Sequence, residues 1–177
     1  NIDTAGVFKL GDAEVIIGGP PCQGFSMAGA RIRQGFIDDP RNYLFKHYYN
    51  VVRTVKPKIF VMENVKGMQT MQKGKIFDEI ISIFSDGELN EGAPYNIFHK
   101  IVKAVDFGIP QKRERLIIIG TTIMDLDFEG IWEETKKSIL LDYPDYFEPT
   151  TVRDAIGNLP VVTESGVIPN PIPQNQY

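Results

Sequence analysis

Cysteine and histidine are scarce in this chain, and their scarcity excludes several kinds of protein. One cysteine among 177 residues cannot form an internal disulfide, so the chain is not a disulfide scaffold. That cysteine and two distant histidines, His47 and His99, do not make a zinc-binding set. No apolar run approaches the ~18 residues that a membrane span needs. With 42% hydrophobic and 24% charged residues, the composition is that of a globular domain with a core.

Several sequence signals are also missing. We find no secretory leader, no phosphate-binding loop of the Walker type and no internal repeat. A lone thiol without an export signal predicts a reducing, cytoplasmic location. The net charge of −4 argues mildly against a free-standing nucleic-acid-binding module. Positive charge is nevertheless concentrated locally, at Arg31 and Arg33 and again within residues 112–115.

The spacing of apolar residues predicts an α/β fold. Four runs predict strands, at Val15–Ile17, Ile59–Met62, Ile97–Val105 and Leu116–Ile119. The short runs are continuous, which is typical of strands buried on both faces. Two helices are predicted between these strands. The first starts at Asp39 and Pro40, and its apolar stripe consists of Leu44, Tyr48, Val51, Val52 and Val55. The second spans Lys75–Phe84. This order predicts a mostly parallel sheet that ends in an antiparallel hairpin.

The loop after the first strand carries the only cysteine. Gly18 and Gly19 allow a sharp turn, and Pro20 and Pro21 stiffen the chain directly before Cys22. Open α/β sheets bind ligands at the carboxyl ends of their strands, so this position favours a reactive thiol. The alternative is a small buried hydrophobic residue, which is the usual state of an unpaired cysteine.

Two further polar segments are expected at the same edge of the sheet. Glu63 and Asn64 follow the second apolar run, and the segment Gln111–Arg115 joins the last two strands. If the sheet is parallel with a terminal hairpin, strand direction brings Cys22, Glu63 and the arginines of that segment together. The alternatives are that Glu63 is a solvated loop residue and that Gln111–Arg115 is an exposed hairpin tip.

These residue types favour covalent catalysis on an electron-poor ring. The thiol would add to the ring, the carboxylate would handle a ring nitrogen, and the guanidinium groups of Arg113 and Arg115 would hold carbonyl or anionic groups. A Cys–His pair has no histidine near the cysteine in sequence, although sequence distance alone does not exclude one.

The motifs resemble those of the C5-cytosine DNA methyltransferases. The segment Gly18–Ser26 is similar to the Pro-Cys loop of that family, Glu63–Val65 to its Glu-Asn-Val motif, and Gln111–Arg115 to its Gln-x-Arg-x-Arg motif. The segment Thr151–Pro160 is similar to one that the family carries before its target recognition domain. The resemblance covers roughly residues 1–160 and implies a Rossmann-like S-adenosylmethionine-dependent methyltransferase fold.

The resemblance implies a mechanism on double-stranded DNA. Cys22 would attack C6 of a flipped cytosine, Glu63 would bind N3 and the exocyclic amine, and C5 would take the methyl group of S-adenosylmethionine. Arg113 and Arg115 would lie near the base, and Arg115 would contact the cytosine carbonyl. The resemblance further implies substrate contacts at Gln23, Ser26, Asn64 and Gln111. It implies cofactor contacts at Ile2, Pro21 and Leu44. Arg31 and Arg33 would contact phosphate groups.

Other parts of the family pattern are missing from these residues. They are the glycine-rich first motif, the acidic residue that holds the ribose, the target recognition domain and the two final motifs. We therefore expect the central part of a longer prokaryotic restriction-modification enzyme: a catalytic core at 1–122, an acidic helical extension at 123–160 and a linker at 161–177. Alone, this span is expected to be inactive and to bind S-adenosylmethionine weakly or not at all.

Two other functions remain as alternatives. One is a tRNA cytosine-C5 methyltransferase of the DNA-methyltransferase-like type, whose Pro-Cys loop usually continues differently from Gln23–Ser26. The other is a non-catalytic subunit with a methyltransferase fold. Trapping on RNA would favour the first, and methylation that survives loss of Cys22 would favour the second.

Overall fold

A computed structural model describes residues 6–21, 43–92, 94–145, 148, 151–157 and 159. Its helices and strands follow the predicted order: β1 (Val15–Gly18), α1 (Tyr43–Val55), β2 (Ile59–Val65), α2 (Lys75–Ser85), β3 (Asn96–Lys103), β4 (Glu114–Thr121), α3 (Phe128–Asp142) and α4 (Val152–Ile156). Short 3-10 turns lie at Lys66–Gln69, Met71–Gly74 and Ala104–Phe107. The predicted α/β class is confirmed.

The four strands form one mixed sheet in the order β1-β2-β4-β3. Strand β1 runs parallel to β2, with Gly18 opposite Met62. Strand β4 runs antiparallel to β2, with Arg115 opposite Val65. The carboxyl ends of β1 and β2 and the amino end of β4 therefore lie at one edge of the sheet, as the sequence predicts.

Strand β2 ends in Glu63–Val65, as the sequence predicts, and these residues pair with β4. One strand end differs from the prediction. Strand β3 stops at Lys103, where the chain turns into Ala104–Phe107 and then reaches Gly108 in the left-handed region, with φ of 71°.

Helices α1 and α2 supply much of the hydrophobic core. Phe45, Tyr49, Val52 and Val55 of α1 are buried, as are Ile76, Ile80, Ile83 and Phe84 of α2. Leu44 is 51% exposed, so the buried stripe of α1 is shifted relative to the predicted one. The helical period alone places a stripe only to within about one residue.

The outermost strand contradicts the prediction that the short strands are buried on both faces. Ile17 of β1 is 76% exposed, whereas Phe60 and Met62 of β2 are fully buried. Strand β2 has a neighbouring strand on each side, while β1 lies at the outside of the described sheet. The exposure of Ile17 goes with this place of β1 at the outside of the described sheet.

The chain divides into two compact units. The first comprises Asn1–Val102 and Glu114–Phe128, and the second comprises Lys103–Arg113 and Glu129–Tyr177. In the second unit, the Trp132 ring contacts that of Phe107 edge to face, and Thr151 forms a capping box with Asp154 at the start of α4. Asp39, Pro40 and the predicted linker 161–177 lie outside the described residues. Within the described ranges, no helix combines the length and apolar character needed to cross a membrane.

One glycine allows the central strands to pack closely. A Cβ on Gly120 of β4 would overlap the ring of Phe60, which is fully buried on β2. Phe60 in turn stacks at a tilt on Phe84 of α2, with ring centroids 4.3 Å apart. The absence of a side chain at Gly120 thus leaves room for the aromatic centre of the core.

We predict that Gly120→Ala lowers the free energy of unfolding by about 1–3 kcal/mol, because the added methyl group overpacks the core. Urea unfolding followed by circular dichroism measures the change. Gly67→Ala is the matched control, since a Cβ at Gly67 would meet nothing within 4 Å. Equal unfolding midpoints for the two variants would contradict the prediction.

Candidate active site

Glu63 and Arg115 form an ion pair at the edge of the sheet where β1 and β2 end. Arg115 Nε lies 2.7 Å from Glu63 Oε1. The two residues are diagonal neighbours across the antiparallel β2–β4 pair, because Arg115 is opposite Val65. Arg115 Nη1 also donates to the backbone oxygen of Glu114, at 2.8 Å. The guanidinium is thus held from two sides, and the carboxylate that it orients is 42% exposed.

Asn64 connects the same strand to the loop that carries the cysteine. Its side chain is nearly buried, with 4% exposure. Asn64 Nδ2 donates to the backbone oxygen of Pro20 at 2.9 Å, and Asn64 Oδ1 accepts from the backbone N–H of Val65 at 2.9 Å. Pro20 precedes Cys22 by two residues. A residue of β2 therefore anchors the start of the Cys22 loop.

Gly19 brings the carboxylate close to that loop. A Cβ on Gly19 would lie 3.2 Å from Glu63 Oε2, which is tighter than most Cβ contacts. One oxygen of Glu63 thus contacts Arg115, and the other lies against the backbone that leads to Cys22. The segment Gly19–Pro20, Glu63 and Arg115 come together, although they belong to three separate strands or strand ends.

The other predicted site residues fall into three groups. Ile2, Cys22, Gln23, Ser26, Arg31 and Arg33 lie outside the described residues. Pro21 and Leu44 are described and are both exposed. Gln111 and Arg113 belong to the second unit, where the backbone N–H of Arg113 donates to the oxygen of Gln111 at 2.8 Å. Their convergence with Glu63, and that of Cys22, stay predictions.

The structure adds one residue to this site that sequence analysis assigned only to the apolar stripe of α1. Tyr48 Oη donates to the backbone oxygen of Val61 at 3.0 Å, and its ring lies against Gly18. Burial raises the pKa of Tyr48 well above its ordinary value, so the hydroxyl remains a neutral donor. The signal in the sequence was a hydroxyl-bearing side chain within an apolar stripe, since a buried tyrosine usually finds a hydrogen-bond partner.

Among the described residues, no group of histidine, cysteine, aspartate or glutamate side chains could hold a metal ion. At this edge the described residues bring together the Glu63 carboxylate, the Arg115 guanidinium and the backbone of Pro20, which Asn64 holds. Such a set can bind a polar ring through its hydrogen-bonding edge and hold it beside a nucleophile.

We predict that Asn64→Ala destabilises the protein by about 1–3 kcal/mol, because the buried backbone oxygen of Pro20 loses its donor. Urea unfolding measures the loss. Asn96→Ala is the matched control. Asn96 is exposed, and its Nδ2 donates to the sulfur of Met124 at 3.9 Å. A stability change in Asn64→Ala no larger than that of the control would argue against the anchoring role.

Comparison with known proteins connects this geometry to a family. Residues 1–162 match the profile of a family described as C-5 cytosine-specific DNA methylase. The Type II methyltransferase M1.HphI of Haemophilus parahaemolyticus is 43% identical over 147 residues, which cover 83% of this chain and 34% of that protein. M.XorII of Xanthomonas oryzae pv. oryzae is 39% identical, with 88% of this chain and 32% of the relative covered.

A solved structure shows the same likeness. A DNA modification methyltransferase encoded within an E. coli prophage superposes with a TM-score of 0.50 at 33% identity. The match covers 84% of this chain and 36% of that chain. The present chain thus spans about a third of the length of these relatives.

Proposed function

The chain belongs to the C-5 cytosine-specific DNA methylase family, and we therefore propose that it forms part of an enzyme that methylates C5 of cytosine in double-stranded DNA. The observation that supports this most directly is the Glu63–Arg115 pair, which lies against the backbone leading to Cys22. Because the relatives are Type II methyltransferases, the proposed setting is a restriction-modification system in the cytoplasm of a prokaryote.

In the proposed mechanism, the Cys22 thiolate adds to C6 of a cytosine flipped out of the duplex. A sulfur–carbon bond forms, and the electron pair of the C5–C6 double bond makes C5 nucleophilic. S-adenosylmethionine, when bound, would supply an electrophilic methyl group to C5, and its sulfur would leave as the thioether S-adenosylhomocysteine. Loss of the C5 proton to a base and release of the Cys22 sulfur then restore the aromatic ring.

Glu63 and Arg115 have separate tasks in this scheme. Glu63 binds the cytosine at N3 and at the exocyclic amine, which stabilises the ring after the thiolate has added. Arg115 keeps the carboxylate oriented through Nε. Because Nη1 donates to the backbone oxygen of Glu114, Nη2 is the group proposed to contact the cytosine carbonyl. Asn64 acts through the loop, since its side chain is buried and already engaged with Pro20.

The remaining assignments concern ligands. Exposed apolar side chains at Pro21 and Leu44 fit contacts with the adenosine part of S-adenosylmethionine, and Ile2 is proposed as a third contact. Gln23, Ser26 and Gln111 are proposed to contact DNA near the flipped base. Arg113 is assigned to the neighbourhood of the base, and Arg31 and Arg33 to phosphate groups, which position DNA without reading its sequence.

The test is covalent trapping by the full-length protein on duplex DNA that contains 5-fluorocytosine. Fluorine at C5 cannot leave as a proton does, so the adduct through Cys22 should accumulate when S-adenosylmethionine is present. Cys22→Ser should abolish the adduct, and mass spectrometry of the cross-linked peptide should locate it at Cys22. Trapping only on 5-fluorocytosine tRNA would refute the choice of DNA, and methylation unchanged in Cys22→Ser would refute the covalent mechanism.

A second prediction concerns Glu63. We expect Glu63→Gln to lower kcat by about 100-fold or more while DNA binding changes little, because the amide cannot serve as a carboxylate toward the activated ring. Glu114→Gln is the matched control, since Glu114 lies next to Arg115 in sequence but pairs with Lys66 at 2.6 Å. Similar rates for wild type and Glu63→Gln would remove Glu63 from the mechanism.

A further inference from the structure

The ring of Tyr48 occupies the space where a side chain at Gly18 would lie. A Cβ on Gly18 would be 2.6 Å from Cε2 and 2.8 Å from Cδ2 of Tyr48, which is shorter than real Cβ contacts. Tyr48 belongs to α1, whereas Gly18 is the last residue of β1. Helix α1 therefore contacts the backbone of β1 at the point where the strand enters the Cys22 loop.

The same side chain also holds β2. Its hydroxyl donates to the backbone oxygen of Val61 at 3.0 Å. The ring meets Phe60 and Phe84 edge to face, with centroids 6.3 and 6.5 Å away. Such contacts restrict the ring, so its position relative to both strands is well defined.

These contacts lie just before the two predicted catalytic groups. Gly18 precedes Cys22 by four residues, and Val61 precedes Glu63 by two. Strand β1 has four residues, which pair with β2 along their whole length. The contact with Tyr48 adds a restraint at the end of β1 that leads to the thiol.

We propose that Tyr48 is a positioning residue that sets the placement of the Cys22 loop relative to Glu63, with its ring against β1 and its hydroxyl on β2. This rests on the proposed function, because the two groups must reach the same cytosine. Displacement of a reacting group by about 1 Å can slow a reaction by about 100-fold. Gly18 is then required because any side chain there would displace either Tyr48 or β1.

Tyr49 provides a matched control on the same helix. It is 3% exposed, its hydroxyl donates to the backbone oxygen of Leu89 at 3.1 Å, and its ring meets Phe84 edge to face. Tyr49→Phe therefore removes a hydrogen bond to a backbone oxygen from a buried tyrosine, as Tyr48→Phe does. The bond that it removes lies away from β1 and β2.

The experiment compares Gly18→Ala, Tyr48→Ile and the double variant with Tyr48→Phe and Tyr49→Phe in the full-length protein. The rate of adduct formation on 5-fluorocytosine DNA is measured at saturating DNA and cofactor, together with the Kd for DNA and the Tm. We expect Gly18→Ala to slow adduct formation about tenfold or more at nearly unchanged Kd. The double variant should react at about the rate of Tyr48→Ile alone, because isoleucine leaves room for the new methyl group and Gly18→Ala then causes no further loss.

Tyr48→Phe should slow the reaction more than Tyr49→Phe does at a similar loss of Tm. Equal slowing by these two variants, or a double variant in which the losses of Gly18→Ala and Tyr48→Ile add, would show that Tyr48 only stabilises the fold. Either result overturns the proposal.

A second measurement does not depend on methyl transfer. Alkylation of Cys22 by iodoacetamide is followed by mass spectrometry of the tryptic peptide 10–31. Gly18→Ala should change the alkylation rate, the double variant should show the rate of Tyr48→Ile alone, and Tyr49→Phe should leave the rate unchanged. If the wild-type protein forms no adduct, the proposed function fails, and this alkylation pattern still decides whether Tyr48 positions the loop. An alkylation rate unaffected by Gly18→Ala would overturn the proposal on its own.

Discussion

The pairing of β2 with a parallel strand on one side and an antiparallel strand on the other is the constraint on which the candidate site depends. The parallel pair brings the end of β1 beside the end of β2, and the antiparallel pair brings the start of β4 to the same edge. Hydrogen bonds on both sides hold β2 in register. A slip by one residue would exchange its buried and half-buried faces, because side chains alternate along a strand. Three distant segments therefore meet at one place because of strand direction.

Side chains alternate along β2 between a buried face, which packs into the core, and a half-buried face, which carries Glu63. Phe60, Met62 and Asn64 point to the buried face, and Glu63 belongs to the half-buried one. Burial of each large apolar side chain on this face contributes about 1.5–3 kcal/mol, which anchors the strand. Asn64 is the polar member of the buried face, and it uses that position to hold the backbone of Pro20. The carboxylate next to it is thereby presented by a rigid element.

Helix α1 extends the same arrangement. Tyr48 contacts β1 and β2 near the predicted catalytic groups, whereas the hydroxyl of Tyr49 donates to the backbone oxygen of Leu89, after α2. Two adjacent residues of one type thus have different consequences, which follow from the 100° turn between them on the helix. Sites on helices and strands are more precisely held than sites on flexible loops, and here the helix contacts the end of the strand that leads to Cys22.

Local chemistry in the sequence was enough to predict the order of strands and helices, the mixed sheet and the edge at which Glu63 lies. Apolar runs, helical spacing and proline or glycine positions act over a few residues, and these signals are visible in a linear chain. The exposure of Ile17 and Leu44 and the contacts of Asn64 with Pro20 and of Tyr48 with Gly18 could not be predicted in this way. The contacts join residues as far as 44 positions apart, and they depend on where each side chain packs. The exposures depend on which strand has a neighbour and on which face of a helix is covered.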